Sequence, residues 1–414
     1  MVEKRLSIGG NIAWNSVGSI FYLACQWILT VLVVRLSDGY DAAGLLALGM
    51  SVSNIFTPFG QYKIRAFQVS DVHEEYSPGQ YVALRVVTIA IAVLVMVLYG
   101  LATCPTDTLP AVYTYGIYSL GPIFADVLHG VDQQRSRMDI IGKSFIIRGA
   151  LSVASFSAIL ILTNSLEASF VGMSIVTFAA LYLFDWRKTA ALGVNLSPDF
   201  SSGPLLKLLR TCFPAVVALF FCSAVPSIPR QVLGGMYGES ALGAYASIAA
   251  PVLIIQMGAQ YLYAPLMGVF AERFEDASLK GFYSLLAKVT LGIAGITIAG
   301  IAGFAVFGEW LFSVVFGAGI TEYLYLLLPL VVCTALSAYV WFLGDLLIVV
   351  RDFKGNLVGY LIAFVACLAT VYPALTLWGL NGASYAIIIA FGLGLACFLL
   401  RVMKACRQKR GEVK

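Results

Sequence analysis

Residues Tyr283–Phe307 read YSLLAKVTLGIAGITIAGIAGFAVF, an unbroken apolar run whose only charge is Lys288. A helix crossing the hydrocarbon core of a bilayer needs roughly 20 such residues at about 1.5 Å of rise each. Eleven more runs of this kind follow the same rule. In the first half they are Asn11–Val34, Gly44–Gly60, Tyr81–Ala102, Ala111–Leu128, Ser144–Leu162 and Ser169–Phe184. In the second they are Leu209–Pro229, Leu242–Leu266, Tyr323–Val350, Asn356–Leu375 and Gly382–Val402. Only helices and closed barrels satisfy backbone polar groups in lipid. A barrel would show short alternating segments, and these runs are long and continuous. The expected fold is therefore an all-α membrane protein with twelve transmembrane helices.

Composition agrees. Hydrophobic residues make up 60% of the 414 positions and charged residues 12%, with mean hydropathy +0.89. Too few polar groups remain to cover a water-facing surface, which excludes a soluble enzyme, a nucleic-acid binder and a secreted disulfide scaffold. Five of the eight cysteines, Cys25, Cys222, Cys333, Cys367 and Cys397, fall in apolar runs, and Cys104 in an expected external loop, so no disulfide framework is implied. The charged N-terminal stretch leads into a run too long for a signal peptide and without a small-residue cleavage site, so an uncleaved first span is expected.

The positive-inside rule sets the orientation. With both termini cytoplasmic, all but two of the 26 Lys and Arg lie at the cytoplasmic side, leaving Arg35 and Arg230 outside. Each of those arginines closes the first span of a six-helix half. After Arg35 comes YDAAGLLALGMSVSN and after Arg230 YGESALGAYASIAAP, with Gly44 and Gly243 opening the next helix. The longest hydrophilic stretch, Asp185–Leu208, falls where a connection between halves belongs. The expected organisation is two pseudo-symmetric lobes, residues 1–184 and 209–402, joined by a cytoplasmic linker, 185–208, with a basic cytoplasmic tail, 403–414.

No GxxxxGK[ST] sequence occurs, so the chain is not expected to hydrolyse nucleotide. His73 and His129 lack metal-ligand partners at usable spacing, and structural roles are expected for both. Neither cofactor nor catalytic residues are expected. The informative groups are polar residues in the spans. Asn15, Ser19 and Gln26 share one face of helix 1, Asn54 lies in helix 2, and Gln256 and Gln260 stand four apart in helix 8. They fit either interhelical hydrogen bonding or a hydrophilic cavity lined by helices 1, 2, 7 and 8. Pro214, Pro226 and Pro229 fit a bent, mobile helix 7 or a span with a broken end. Arg35 and Arg230 could hold a phosphate bidentately or snorkel to water. Asp345, about two turns inside helix 10, is a coupling candidate for protons or sodium, or a structural ion-pair partner. Arg85, Asp126 and Arg148 read as a structural charge network.

The stretches NIAWNSVGSIFYLACQW, RAFQVSD, LHGVDQQRSRMDIIGKSFIIRG and FPAVVALFFCSAVPSIPRQVLGGMYGESALGAYASIAAP resemble bacterial lipopolysaccharide and capsule flippases. These are polysaccharide transporters of the multidrug/oligosaccharidyl-lipid/polysaccharide exporter superfamily. The resemblance implies two six-helix lobes around a cationic cavity, working by alternating access. It implies transfer of an undecaprenyl-diphosphate-linked oligosaccharide to the external leaflet of the bacterial cytoplasmic membrane. The expected partners are that lipid-linked oligosaccharide, the lipid bilayer and polysaccharide-assembly enzymes, with no nucleic acid. Arg65 looks like the basic residue such transporters place at the cytoplasmic end of helix 2, with Lys63 its neighbour, and Arg230 lies in a Pro-Arg pair typical of the group. The chain departs from the peptidoglycan-precursor branch, which has two more C-terminal helices and a more arginine-rich first helix. Two rivals stand beside this reading: a multidrug or organic-cation antiporter of the same superfamily, which needs cavity carboxylates, and a membrane glycan polymerase, which needs a charged external loop.

Overall fold

The computed structural model describes residues 6–71, 75–276 and 278–412, and among these the chain is helical, with no strand. The helices of the first half are α1 (Ile8–Leu36), α2 (Asp41–Gln61), α3 (Pro78–Thr103), α4 (Leu109–Gln134), α5 (Met138–Thr163) and α6 (Leu166–Ala180). Helix α6 continues through a π-helical stretch, Leu181–Trp186, into Arg187–Ala190. The next run, Ser202–Tyr263, is broken at Gly238, whose φ of +85° and ψ of 172° leave the helical region. That φ strains any residue with a Cβ, and glycine adopts it freely. The break separates α7 (202–237) from α8 (239–263). Then come α9 (Leu279–Phe316), α10 (Leu327–Val349), α11 (Phe353–Trp378) and α12 (Asn381–Glu412).

Ten helices among the described residues are long and apolar enough to cross a membrane, with Ser202–Glu275 counted once. Separating α7 from α8 and adding the 26-residue α4 gives the twelve expected. Helix α4 falls outside the ten while carrying Asp126, His129 and Asp132 along its length.

The chain divides into two compact units, Met1–Phe220 and Phe221–Lys414, so the division falls within α7. In the first unit α1 packs along α5, α2 lies against both α3 and α4, and α6 against α4 and α5. Helices α1 and α5 meet backbone to backbone: a Cβ on Gly18 would stand 2.5 Å from the Gly142 Cα, and one on Gly142 would strike the Trp14 carbonyl. Small residues permit such close approach where no hydrophobic force joins helices in lipid. Gly142→Val should therefore force the pair apart and cost about 1–3 kcal/mol. Gly295→Val, in α9 with nothing within 4 Å of its Cβ, is the control. Equal thermal stabilities of the two variants in detergent would refute this packing account.

In the second unit α11 packs along α12, and α10 against α9, α11 and α12. The Phe398 ring covers Gly359, and its edge meets Tyr360 at 5.0 Å between centroids.

Several boundaries differ from those expected. The stretch Asp185–Leu208 is not a free connection: helix runs to Ala190 and resumes at Ser202, leaving only residues 191–201 irregular. Asp185, Leu196 and Leu208 are buried, and Leu208, Cys212 and Val216 join a core cluster with Tyr62, Tyr81 and Val127. Apolar residues at helical spacing draw this stretch onto the first unit. Arg230 does not end its helix, because α7 continues to residue 237, whereas Arg35 does lie in the last turn of α1. Pro214, Pro226 and Pro229 sit within helical backbone. The basic tail is no separate segment, since α12 extends to Glu412.

Candidate functional site

The polar groups of the first unit collect where the end of α2 meets α3, α4 and α5. Helix α2 stops at Gln61, and Tyr62 and Lys63 both adopt left-handed backbone, with φ of 50° and 55°. This turn starts the short helix Ile64–Ser70, leaves Lys63 exposed and brings Arg65 to α4. There Arg65 donates through Nε and Nη2 to Gln133 Oε1 at 3.2 and 2.9 Å, and its Nη1 stands 3.6 Å from Asp126.

Arg85 of α3 is fully buried. It donates through Nη2 to Asp126 Oδ2 at 2.8 Å and through Nη1 to the Gly60 carbonyl at 2.6 Å, where Thr88 Oγ1 also donates. A buried guanidinium needs both charge and lone pairs to replace water. Asp126 supplies the charge, and the C-terminal end of α2 supplies a carbonyl at the negative end of its dipole.

One turn along α4, His129 Nε2 lies 3.2 Å from Ser144 Oγ and 3.5 Å from Asp185. Arg148 donates to Ser144 Oγ at 3.1 Å, stands 4.0 Å from Asp185, and lies over the Tyr22 and Phe145 rings. Asp132, fully buried, accepts from Thr189 Oγ1 at 2.9 Å. The expected trio therefore divides: Arg85 joins Asp126, while Arg148 turns to Asp185. Asp126 thus faces Arg65 and Arg85, Asp185 faces Arg148 and His129, and Asp132 meets Thr189.

Asn15, Ser19 and Gln26 are all half-buried, as one shared face of α1 requires. Gln26 donates to Tyr118 OH at 2.8 Å. Asn54 and Arg35 are exposed. In the second unit Gln256 is half-buried and Gln260 exposed. Asp345 is exposed and accepts from Tyr263 OH at 3.2 Å. Arg230 is half-buried beside Tyr245 and Cys333, and its Nε is buried with no hydrogen-bond partner among the described residues. No group of three or more His, Cys, Asp or Glu able to hold a metal occurs among the described residues, and His73 lies outside them.

The sequence reading did not single out Asp132, Asp185 and Thr189. Asp185 was assigned to the connection and Asp132 lay past the end of the fourth apolar run. The available signal was the spacing Asp126, His129, Asp132, which places three titratable groups on one face of a helix.

No family model matches the chain. The capsular polysaccharide biosynthesis protein CapF of Staphylococcus aureus is 22% identical over 387 residues, covering 92% of this chain and 95% of that protein. Among solved structures, the lipid II flippase MurJ in an inward closed conformation gives a TM-score of 0.73 at 10% identity, covering 95% of this chain and 89% of that one. An inward-facing multidrug resistance MATE transporter of the MOP superfamily gives 0.71 at 12% identity, covering 97% and 99%. The expected resemblance is thus present in sequence and in fold: the chain has the twelve-helix, two-lobe fold of MOP-superfamily transporters.

Proposed function

We propose that this protein is a flippase. It moves an undecaprenyl-diphosphate-linked oligosaccharide from the cytoplasmic to the external leaflet by alternating access, for cell-surface polysaccharide assembly. The observation that carries the reading is the similarity to a capsular polysaccharide biosynthesis protein along nearly the whole chain, on a fold also found in a lipid II flippase. In this reading both termini are cytoplasmic, the two compact units Met1–Phe220 and Phe221–Lys414 are the lobes, and the membrane is the bacterial cytoplasmic membrane. Arg35, Lys63, Arg65 and Arg230 serve the diphosphate; Asn15, Gln26, Asn54, Gln256 and Gln260 serve the glycan.

The physical requirement is plain. A diphosphate cannot enter hydrocarbon bare, so protein cations and hydrogen-bond donors must replace its water while the prenyl tail remains in lipid. Arg230 fits this need, because it offers a guanidinium N–H that no described residue accepts. Its planar fork suits phosphate oxygens.

The fold shared with a multidrug transporter sustains a second reading, organic-cation antiport, for which the exposed carboxylate of Asp345 is the natural binding group. Proteoliposomes separate the two. The flippase should move a fluorescent prenyl-diphosphate glycan to the opposite leaflet well above protein-free vesicles, and should not accumulate an organic cation against a proton or sodium gradient. The reverse outcome would replace the flippase with the antiporter.

A further inference from the structure

Arg65 stands in the first turn of the short helix Ile64–Ser70, directly after the left-handed residues Tyr62 and Lys63. Its side chain is long and only half-buried, and an unbraced guanidinium of that kind samples many rotamers. Helix α4 supplies the brace. Asp126 and Gln133 stand seven residues apart, which puts them on one face of that helix, two turns from each other. The Arg65 guanidinium bridges them.

The two contacts differ in kind. Gln133 Oε1 accepts from both Nε and Nη2, at 3.2 and 2.9 Å, so one edge of the planar fork is fixed to α4. Only the amide oxygen can accept these bonds, which settles the orientation of the Gln133 side chain. The approach of Nη1 to Asp126, at 3.6 Å, is too long for a hydrogen bond, and Asp126 already holds Arg85 at 2.8 Å. The edge formed by Nη1 and Nη2 therefore keeps unused N–H donors. Such an edge can grip two oxygens of a phosphate at once. The side chains of Arg65 and Asp126 are 25% and 20% exposed, so this end of the pair reaches water.

The choice of an amide matters. A carboxylate at 133 would orient the guanidinium equally well but would cancel the charge that an anion needs. Gln133 orients it and leaves the charge in place. We propose that Gln133 is a positioning residue: it holds Arg65 by one edge so that the other edge meets the diphosphate of the transported lipid. The inference rests on the flippase reading, in which Arg65 serves that diphosphate.

Native mass spectrometry of the purified full-length protein tests this with a polyprenyl diphosphate and, as the uncharged comparator, the corresponding polyprenol. Gln133→Leu should weaken the diphosphate about threefold, because the guanidinium must then be ordered on binding, and should leave the polyprenol unchanged. In the Arg65→Gln background the same substitution should change nothing further, since no guanidinium is left to hold. An equal loss in both backgrounds, or an equal loss for the polyprenol, would mark a merely structural residue and overturn the proposal. Wild-type diphosphate affinity in Gln133→Leu would overturn it too. If Gln133→Leu does not fold, Gln133→Glu takes its place. It keeps the grip but cancels the charge, and should weaken the diphosphate about as far as Arg65→Gln does; full affinity there would defeat the proposal. Diphosphate binding that Arg65→Gln leaves unaltered would remove Arg65 from the site and the role of Gln133 with it. Flipping of the labelled glycan is measured separately: no flipping, with diphosphate binding that still depends on Gln133 through Arg65, would remove the flippase and leave the positioning role standing.

Discussion

Asp126→Asn should destabilise the protein by about 3 kcal/mol, because it removes the counter-charge of a guanidinium that has no access to water. Breaking one side of a buried ion pair costs about 3–5 kcal/mol, mostly through the uncompensated charge left behind. The lower end applies here, since Asp126 is 20% exposed and Arg85 keeps its bond to the Gly60 carbonyl. The double variant Arg85→Met/Asp126→Leu should recover most of the loss, because it leaves no orphaned charge: Gly60 retains Thr88, and Arg65 retains Gln133. Chemical denaturation in mixed micelles reads both. A single variant within about 0.5 kcal/mol of wild type would show that the pair contributes little. A double variant no better than the single would show that charge is not the reason.

Arg230→Gln should reduce apparent affinity for the prenyl-diphosphate glycan about ten- to a hundredfold. That range corresponds to about 1.5–3 kcal/mol for one hydrogen bond to a charged group. Arg65→Gln should cost less, because that guanidinium already serves Gln133 and Asp126. Arg230→Lys should fall between wild type and Gln, keeping charge but losing the planar pair of donors. The assay is flipping of the labelled lipid in proteoliposomes at matched protein levels, with lipid concentration varied. Full activity of Arg230→Gln and Arg65→Gln together would remove cationic recognition of the head group while leaving the fold untouched.

The membrane helices were legible because their signal is long and additive: each span repeats the same message over about 20 positions. Their number could be read even through α4, whose apolar stretch Ala111–Leu128 stands out although the full helix carries two aspartates and a histidine. Their ends were less legible. Arg230 reads as a terminus because two prolines and a charge precede polar residues, yet the helix persists to the glycine whose backbone turns left-handed. The polar lattice was legible only in part. Arg85, Asp126 and Arg148 drew notice as charges near apolar runs, but their pairing depends on which faces of α3, α4, α5 and α6 meet, and one helix read alone does not contain that. Asp185 was hidden for another reason. It follows an apolar run and precedes Trp-Arg-Lys, so it looks like the start of solvent, and only its position beside His129 of α4 and Arg148 of α5 makes it interior.

The π-helical stretch Leu181–Trp186 has a consequence for how relatives are aligned. Bonds to the fifth residue widen the turn so that it takes up one extra residue. Shortening the chain by one residue there would restore regular α-helix and leave the residues beyond it facing nearly as before, because the wider turn rotates less per residue. Only side chains within the stretch would shift, and Asp185, which stands beside His129 and Arg148, is one of them. A one-residue gap at this point in a homologue is thus a local event, the loss of a bulge and not of a helical phase. Sequences that carry it should keep the pairing of Thr189 with Asp132 while the acid at 185 and the bases facing it change together.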